Sequence, residues 1–132
     1  MEAMQIKFVS VMVEDQCRAL DFYTKVLGFE KMADIPMGAH RWLTVTSPEG
    51  IDGVELVLEP MAFPPARVYQ KALFDAGIPA TAFTTKNIAA EFDRLRKLGV
   101  TFRTESKDLG LIIAALFEDT CGNLIHLVQP KA

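Results

Sequence analysis

The stretch VMVEDQCRALDFYTKVLGFE, residues 11–30, carries the pattern on which the fold prediction rests. It continues an alternating apolar segment that predicts a β-strand over Ile6–Val13. Asp15 follows as a predicted helix N-cap, because its carboxylate can accept the free N–H groups of a first helical turn. Apolar residues then recur at helical spacing up to Gly28, the predicted helix end. The stretch therefore predicts a strand followed by a helix with one apolar face.

The order of elements that starts here is repeated in the chain. Three further strands are predicted at Phe29–Ala33, His40–Thr46 and Val54–Glu59, with turns at Pro36–Gly38 and Ser47–Gly53. The pattern begins again about 70 residues later. There it predicts a strand at Pro79–Thr85, a helix capped by Asn87 and ended by Gly99, and strands at Val100–Thr104, Leu109–Phe117 and Leu124–Gln129. Strand, helix and three strands occurring twice predict two βαβββ modules.

The 132 residues suit a single domain made of these modules. We place module one at about residues 5–60, a connector at about 61–77 and module two at about 78–130. Pro64 and Pro65 discourage helix in the connector. Its later part, Arg67–Phe74, predicts either a helical turn or a strip of chain packed over the sheet. One hypothesis is that this ordered connector covers a pocket.

Composition excludes several classes of function. Half of the residues are apolar and 23% are charged, which argues against disorder. A net charge of −3 offers no attraction to nucleic acid or to an anionic membrane, so neither is expected as a partner. No apolar run approaches the roughly 18 residues of a membrane span. Cys17 and Cys121 fit no metal spacing; two free thiols in a cytoplasmic protein are expected, although counting alone leaves one bridge open.

The opening stretch and the closing stretch FEDTCGNLIHLVQP, Phe117–Pro130, resemble the vicinal oxygen chelate superfamily. Its members include glyoxalase I, ring-cleaving dioxygenases and the bleomycin- and fosfomycin-resistance proteins. The first stretch is similar to the family's strand–Asp–helix–FY…LGF opening, and the second to its ED-x-x-G-N/D-…-L-x-x-P close. The resemblance implies an α+β fold in which two βαβββ modules form a curved mixed sheet around a cavity, with the helices outside. It also implies a homodimer, and the length of the connector leaves exchange of modules between chains open.

The resemblance also locates the positions where metal-using members hold a divalent ion. In this chain these positions are Phe8, Glu55, Ala80 and His126. Phe8 and Ala80 cannot ligate, so Glu55 and His126 are the only metal candidates, and weak ones for Zn, Mn, Ni or Fe(II). Because a mononuclear site needs about three or four protein ligands, we expect a cavity without a functional metal. A phenylalanine in place of a ligand histidine favours an apolar wall.

The segment His40–Arg41–Trp42 offers a second aromatic group. Strand alternation puts His40 and Trp42 on one face and Arg41 on the other. If the first face meets the cavity, Trp42 supplies a stacking surface and His40 a titratable tip. The alternative is that Trp42 is ordinary core, Arg41 ordinary surface and His40 an exposed loop residue.

These observations predict a small-molecule-binding protein of the glyoxalase/bleomycin-resistance type. We expect it to bind an apolar or aromatic compound without a metal, through Phe8, Trp42, Glu55 and His126. The alternative is a metal-dependent lyase, isomerase or dioxygenase in which Glu55 and His126 hold a Lewis-acidic ion and Glu55 or Glu59 moves a proton. A third hypothesis is a structural or interaction role. No catalytic residue is assigned, and no cofactor is expected beyond the ion of the alternative.

Overall fold

Two four-stranded mixed sheets organise the part of the chain that the structure, a computed structural model, describes, residues 3–131. The first compact unit ends at Ala62 and the second begins at Phe63. Unit 1 contains β1 (Phe8–Val13), α1 (Gln16–Asp21) with a π-helical continuation (Phe22–Val26), β2 (Glu30–Met37), β3 (His40–Thr46) and β4 (Glu55–Pro60). Unit 2 contains α2 (Pro64–Asp75), β5 (Thr81–Thr84), α3 (Ile88–Lys97), β6 (Phe102–Asp108), β7 (Ile112–Glu118) and β8 (Leu124–Pro130). The predicted α+β fold with a βαβββ repeat is confirmed.

Each sheet pairs the first and last strands of its unit in parallel. Sheet A has the order β1-β4-β3-β2 and sheet B the order β5-β8-β7-β6. In sheet A the parallel pair places Phe8 opposite Glu55, and in sheet B it places Ala82 opposite His126. The remaining neighbours are antiparallel. Both sheets therefore bring residues distant in sequence side by side in their parallel strand pairs.

The helix ends follow the predicted capping residues. The Asp15 carboxylate accepts a hydrogen bond from Arg18 N at 3.0 Å, and the Asn87 side chain accepts one from Ala90 N at 3.1 Å. Gly28 and Gly99 follow the helices with φ values of 85° and 88°, a conformation that glycine adopts without a Cβ clash. The sequence signals for both helices are thus confirmed.

One face of each sheet is fixed by the helix packed on it. The Gln16 amide of α1 donates to the carbonyl oxygens of Arg41, at 2.8 Å, and Leu58, at 2.9 Å, which ties α1 to β3 and β4. In unit 2 the Phe102 ring lies between Phe92 of α3 and Phe117 of β7, with centroid separations of 4.4 and 5.6 Å. Burial of apolar side chains, among them Val13 and Leu43 in unit 1 and Phe117 and Ile125 in unit 2, is the main source of stability in each unit.

The expectation that Pro64 and Pro65 discourage helix was wrong, because α2 begins at Pro64. The first N–H groups of a helix need no intrahelical acceptor, so proline is tolerated in the first turn. Within α2, Gln70 is 6% exposed and donates to Cys121 O and to Asn123 Oδ1, both at 3.1 Å. These bonds attach the connector helix to the turn before β8, inside unit 2.

Several strand boundaries also differ from the predictions. Pro36 belongs to β2, and the turn begins at Gly38, so the predicted turn at Pro36–Gly38 was placed too early. β6 runs to Asp108 because an edge strand tolerates polar side chains that hide its alternation. The strand predicted from Leu109 begins only at Ile112, since Gly110 adopts a φ of 97°. The structure pairs all of these segments despite the shifted ends.

Neither cysteine forms a disulfide; Cys17 is exposed and Cys121 buried. Among the residues that the structure describes, no helix has the length and apolar character to cross a membrane.

Candidate ligand-binding site

The predicted residues Phe8 and Trp42 come together on sheet A. Phe8 lies on β1 and Trp42 on β3, and β4 runs between these strands. Their ring centroids are 5.4 Å apart with an interplanar angle of 78°, an edge-to-face arrangement that aromatic pairs prefer. The two rings therefore meet across β4. Phe8 keeps 47% of its surface exposed, so this aromatic pair is not a sealed core contact.

The pair lies on the face of sheet A away from α1. Arg41 Nη1 donates to Cys17 Sγ of α1 at 3.2 Å, which puts Arg41 on the helix side. Because side chains alternate along a strand, Trp42 points to the opposite side, as predicted. We call this opposite side the aromatic face and define it by Phe8, Trp42, Thr44 and Glu55. The interpretation of Trp42 as ordinary core fits poorly with its position beside a half-exposed ring.

Glu55 is the polar centre of the aromatic face. Its side chain is 11% exposed and lies on β4 directly opposite Phe8. Glu55 Oε1 accepts a hydrogen bond from Thr44 Oγ1 at 2.7 Å, and Glu55 Oε2 lies 3.4 Å from Lys7 Nζ. The Lys7 ammonium is also 5.7 Å from the Phe8 ring centroid. Each carboxylate oxygen thus has a partner, and the negative charge is compensated by a neighbouring cation.

Glu59, a candidate proton carrier in the alternative enzyme, shares this side of the sheet. Ser10 Oγ donates to Glu59 Oε1 at 3.4 Å, and Ser10 follows Phe8 by two residues on β1. The expected common orientation of Glu55 and Glu59 is confirmed. Val57 lies between the two glutamates on β4, and each carboxylate has its own hydrogen-bond partner.

His126 lies in unit 2, on the face of sheet B away from α3. Its neighbours across the strands are Ala82 on β5 and Leu116 on β7. Gln129, three residues later, accepts a hydrogen bond from Ile88 N of α3 at 2.7 Å, which by alternation turns His126 to the opposite side. Within residues 3–131 no hydrogen-bond or ion-pair partner of the imidazole is found.

The strand beside His126 supplies no metal ligand. Ala80, the position that the family resemblance assigns to a histidine, bonds through its N–H to Leu124 O at 2.9 Å. Ala80 and Ala82 share the face of His126 by alternation, and Thr81 lies opposite Ile125 on the α3 side. Ala80, just before β5, and Ala82, directly opposite His126, therefore bring no ligating side chain to that face.

The donor set does not fit a mononuclear metal centre. Unit 1 offers Glu55, whose carboxylate oxygens already contact Thr44 and Lys7, and Phe8 fills the neighbouring position. Unit 2 offers His126 among apolar neighbours. Over the described residues, no group of three or more His, Cys, Asp or Glu side chains is placed to hold an ion. Such a centre needs about three protein ligands.

Sequence reasoning missed Lys7 and Thr44. Thr44 follows Trp42 by two residues on β3, so alternation alone would have placed it on the aromatic face. Lys7 immediately precedes β1, where pairing with β4 continues through a 2.7 Å bond from Glu55 N to Lys7 O. A cation at the start of a strand has no distinctive sequence signal, which is why its contact with Glu55 was not foreseen.

Two other predicted features lie away from the aromatic pair. His40 is exposed at the start of β3, opposite Met37, in agreement with the interpretation as an exposed residue. Arg41 is more than ordinary surface, because it forms two hydrogen bonds to the Asp34 carboxylate at 2.9 and 2.8 Å. The hydrogen bonding to Arg41 lowers the pKa of Asp34. This pair joins β2 to β3 beneath α1.

The fold and the residues of the site can now be compared with those of known protein families. The family model of the Glyoxalase/Bleomycin resistance protein/Dioxygenase superfamily matches residues 5–127, and the chain belongs to this superfamily. Among its relatives is YurT of Bacillus subtilis (strain 168), 51% identical over 126 residues that cover 96% of this chain and 99% of YurT.

Similar solved structures cover nearly the whole chain. UcmS2 is 32% identical with a TM-score of 0.80, over 96% of this chain and 98% of that one. TnmS3, described as an antibiotic binding protein from Streptomyces sp. CB03234, is 30% identical with a TM-score of 0.77 and 99% coverage of both chains.

Proposed function

We propose that this protein binds a small apolar or aromatic compound without a metal ion. The observation that carries the proposal is the half-exposed Phe8 ring set edge-to-face on Trp42 beside Glu55. Exposed aromatic surface offers dispersion and stacking contacts to a planar ligand, and a few polar groups orient it. Phe8, Trp42 and Glu55 are the proposed ligand contacts of unit 1. For unit 2, taken by itself, His126 is proposed as a polar ligand contact.

One similarity and one difference support binding rather than catalysis. TnmS3 is described as an antibiotic binding protein, and its likeness extends over both chains. The metal-using members of the superfamily depend on a donor set that Phe8 and Ala80 do not provide. We therefore favour a protein that sequesters or senses an aromatic compound, such as an aromatic antibiotic.

The metal-dependent lyase, isomerase or dioxygenase is the weaker alternative. It needs Glu55 as a ligand or base, yet Thr44 Oγ1 and Lys7 Nζ lie at 2.7 and 3.4 Å from its oxygens. An ion bound to Glu55 would compete with the positive charge of Lys7. This argument from the donor set disfavours the alternative.

Calorimetric titration with 2-naphthol tests the proposal. Protein dialysed against chelator is expected to bind the probe in a saturable manner, with no gain on adding Ni, Zn, Mn or Fe(II). Phe8→Ala should weaken binding about 2- to 10-fold, the range expected for an aromatic pair contact. Val9→Ala is the matched control, because Val9 is 44% exposed on the same strand and its side chain alternates to the other face. Binding that requires added metal would refute the proposal.

We also propose a homodimer. β2 is an edge strand of sheet A, and its residues Met32, Ile35 and Met37 are exposed. An apolar edge strand is a surface that soluble proteins usually cover. Light scattering after gel filtration should give twice the mass of one chain, and Ile35→Lys should lower it to that of a monomer. A monomeric wild type at micromolar concentration would contradict the dimer.

A cytoplasmic location is proposed on the same footing. It is supported by the exposed thiol of Cys17, which forms no disulfide, since such thiols persist in reducing compartments. Fractionation of cells that express the full chain is the direct test.

A further inference from the structure

We propose that Lys7 and Glu55 act together as a recognition pair for planar aromatic ligands that carry a hydrogen-bond donor next to an acceptor on one ring edge. This inference rests on the proposed binding function and names the class of compound that its site takes. A lactam fused to an aromatic ring, with adjacent N–H and C=O groups, is the simplest member of that class.

The two charged groups lie beside the exposed ring. Lys7 Nζ is 3.4 Å from Glu55 Oε2 and 5.7 Å from the Phe8 centroid. The Lys7 side chain is 53% exposed, and the Phe8 residue is 47% exposed. A flat ring that packs against Phe8 therefore brings its edge close to both charges.

The pair has opposite hydrogen-bonding roles. An ammonium only donates and an ionised carboxylate only accepts. A ligand carbonyl can accept from Lys7 while the neighbouring ligand N–H donates to Glu55, so both contacts form at one edge. A ligand anion would be repelled by Glu55 and a ligand cation by Lys7, so the pair favours neutral rings with adjacent groups.

Both residues keep free hydrogen-bonding capacity. A lysine ammonium has three N–H donors, and a carboxylate offers about four acceptor positions. Thr44 Oγ1 occupies one position on Glu55 Oε1, at 2.7 Å, and holds the carboxylate in place. The Lys7 contact uses one further position, so a ligand can join without displacing Thr44.

Three probes that differ only at the ring edge test the inference. They are 2-quinolone, which has both groups, N-methyl-2-quinolone, which lacks the donor, and naphthalene, which lacks both. Calorimetry or equilibrium dialysis with the full chain should give about 10-fold tighter binding of 2-quinolone than of its N-methyl analogue, as expected for a hydrogen bond to a charged group. Lys7→Met should weaken 2-quinolone binding about 10-fold, a larger change than it makes to naphthalene binding.

Lys31→Met is the matched control. Lys31 is 51% exposed, lies in unit 1 and pairs with Asp34 at 3.6 Å, away from Phe8. It should leave the binding of 2-quinolone unchanged. Equal binding of the two quinolones, or no effect of Lys7→Met on 2-quinolone binding, would overturn the recognition pair. In either case, saturable binding of naphthalene would still support the proposed function. Failure of all three probes to bind would overturn both.

Discussion

The two units share the βαβββ order, which α2 precedes in unit 2, and one strand topology, yet the side chains on their parallel strand pairs differ. In unit 1 the parallel pair β1–β4 joins Phe8 to Glu55, and in unit 2 the pair β5–β8 joins Ala82 to His126. The Glu55 carboxylate lies beside the Phe8 ring, and Lys7 compensates its charge. The His126 imidazole, in contrast, has small or apolar neighbours. The repeated βαβββ unit thus determines the positions of these side chains, whereas the residue type at each position determines which groups it can bind.

The two units also differ in whether an aromatic ring of the sheet is buried, where it contributes to stability, or exposed, where it can contact a ligand. Phe117 of unit 2 is 1% exposed within an aromatic cluster, and Phe8 of unit 1 is 47% exposed. The first ring holds its unit together, and the second presents surface to solvent. Variants of the two units should therefore fail in different ways.

The largest effect is expected from Phe117→Ala. Removal of a fully buried ring costs about 3–5 kcal/mol through lost transfer energy and a residual cavity. Phe8→Ala should cost less than about 1.5 kcal/mol, because its ring is half exposed already in the folded state. Urea unfolding measures both values. Equal losses would show that Phe8 is a core residue and would remove the contrast.

Thr44→Val should have the next largest effect. Thr44 is fully buried, and its hydroxyl is the 2.7 Å partner of Glu55, so the variant leaves a buried carboxylate oxygen without that bond. We expect a loss of about 1–3 kcal/mol in the free energy of unfolding. Thr84→Val, at an exposed position of unit 2, should stay within about 0.5 kcal/mol. An unchanged free energy of unfolding in Thr44→Val would mean that the hydrogen bond from Thr44 does not stabilise the buried Glu55 carboxylate.

A smaller effect on binding is expected from His126→Ala. The imidazole offers a ligand one hydrogen bond, which is worth about 2- to 10-fold in affinity. Stability should change little, because no protein partner within the described residues is lost. Titration with 2-naphthol measures the change. An unchanged affinity together with the expected loss for Phe8→Ala would confine the ligand contacts to unit 1.

The smallest effect concerns the acid limb of stability. The hydrogen bonds from Arg41 lower the pKa of Asp34. The ionised form of the Asp34 carboxyl group is therefore more stable in the folded protein than in the unfolded chain. The resulting stabilisation is complete above the unfolded pKa of about 3.9 and is lost as the pH falls through the lower folded pKa. Asp34→Asn should therefore lower the urea midpoint slightly at pH 7 and converge with wild type in acid. Asp52→Asn, in an exposed turn, serves as the control, and parallel curves at all pH values would contradict this sign.

Much of this architecture was predictable from local signals. Asp15, Asn87 and the glycines after α1 and α3 determine the helix ends through backbone hydrogen bonding, which depends on nearby residues only. The common face of Glu55 and Glu59 follows from alternation along one strand. These features need no information from distant parts of the chain.

The remaining features depend on contacts between distant residues. The pairing of Lys7 with Glu55 spans β1 and β4, and the anchoring of α2 depends on Gln70 meeting the turn before β8. Pro64 was misjudged because its effect depends on whether it stands first or later in a helix. Sequence position alone did not distinguish these cases.

Trp42 fluorescence tests the central claim most directly, because Trp42 is the only tryptophan in the chain. Titration of chelator-treated protein with N-phenyl-1-naphthylamine, a neutral aromatic acceptor of tryptophan emission, should quench Trp42 saturably, and Phe8→Ala should weaken the response. A response that appears only after adding Ni, Zn, Mn or Fe(II), or one that Phe8→Ala leaves unchanged, would contradict metal-independent binding at the aromatic face.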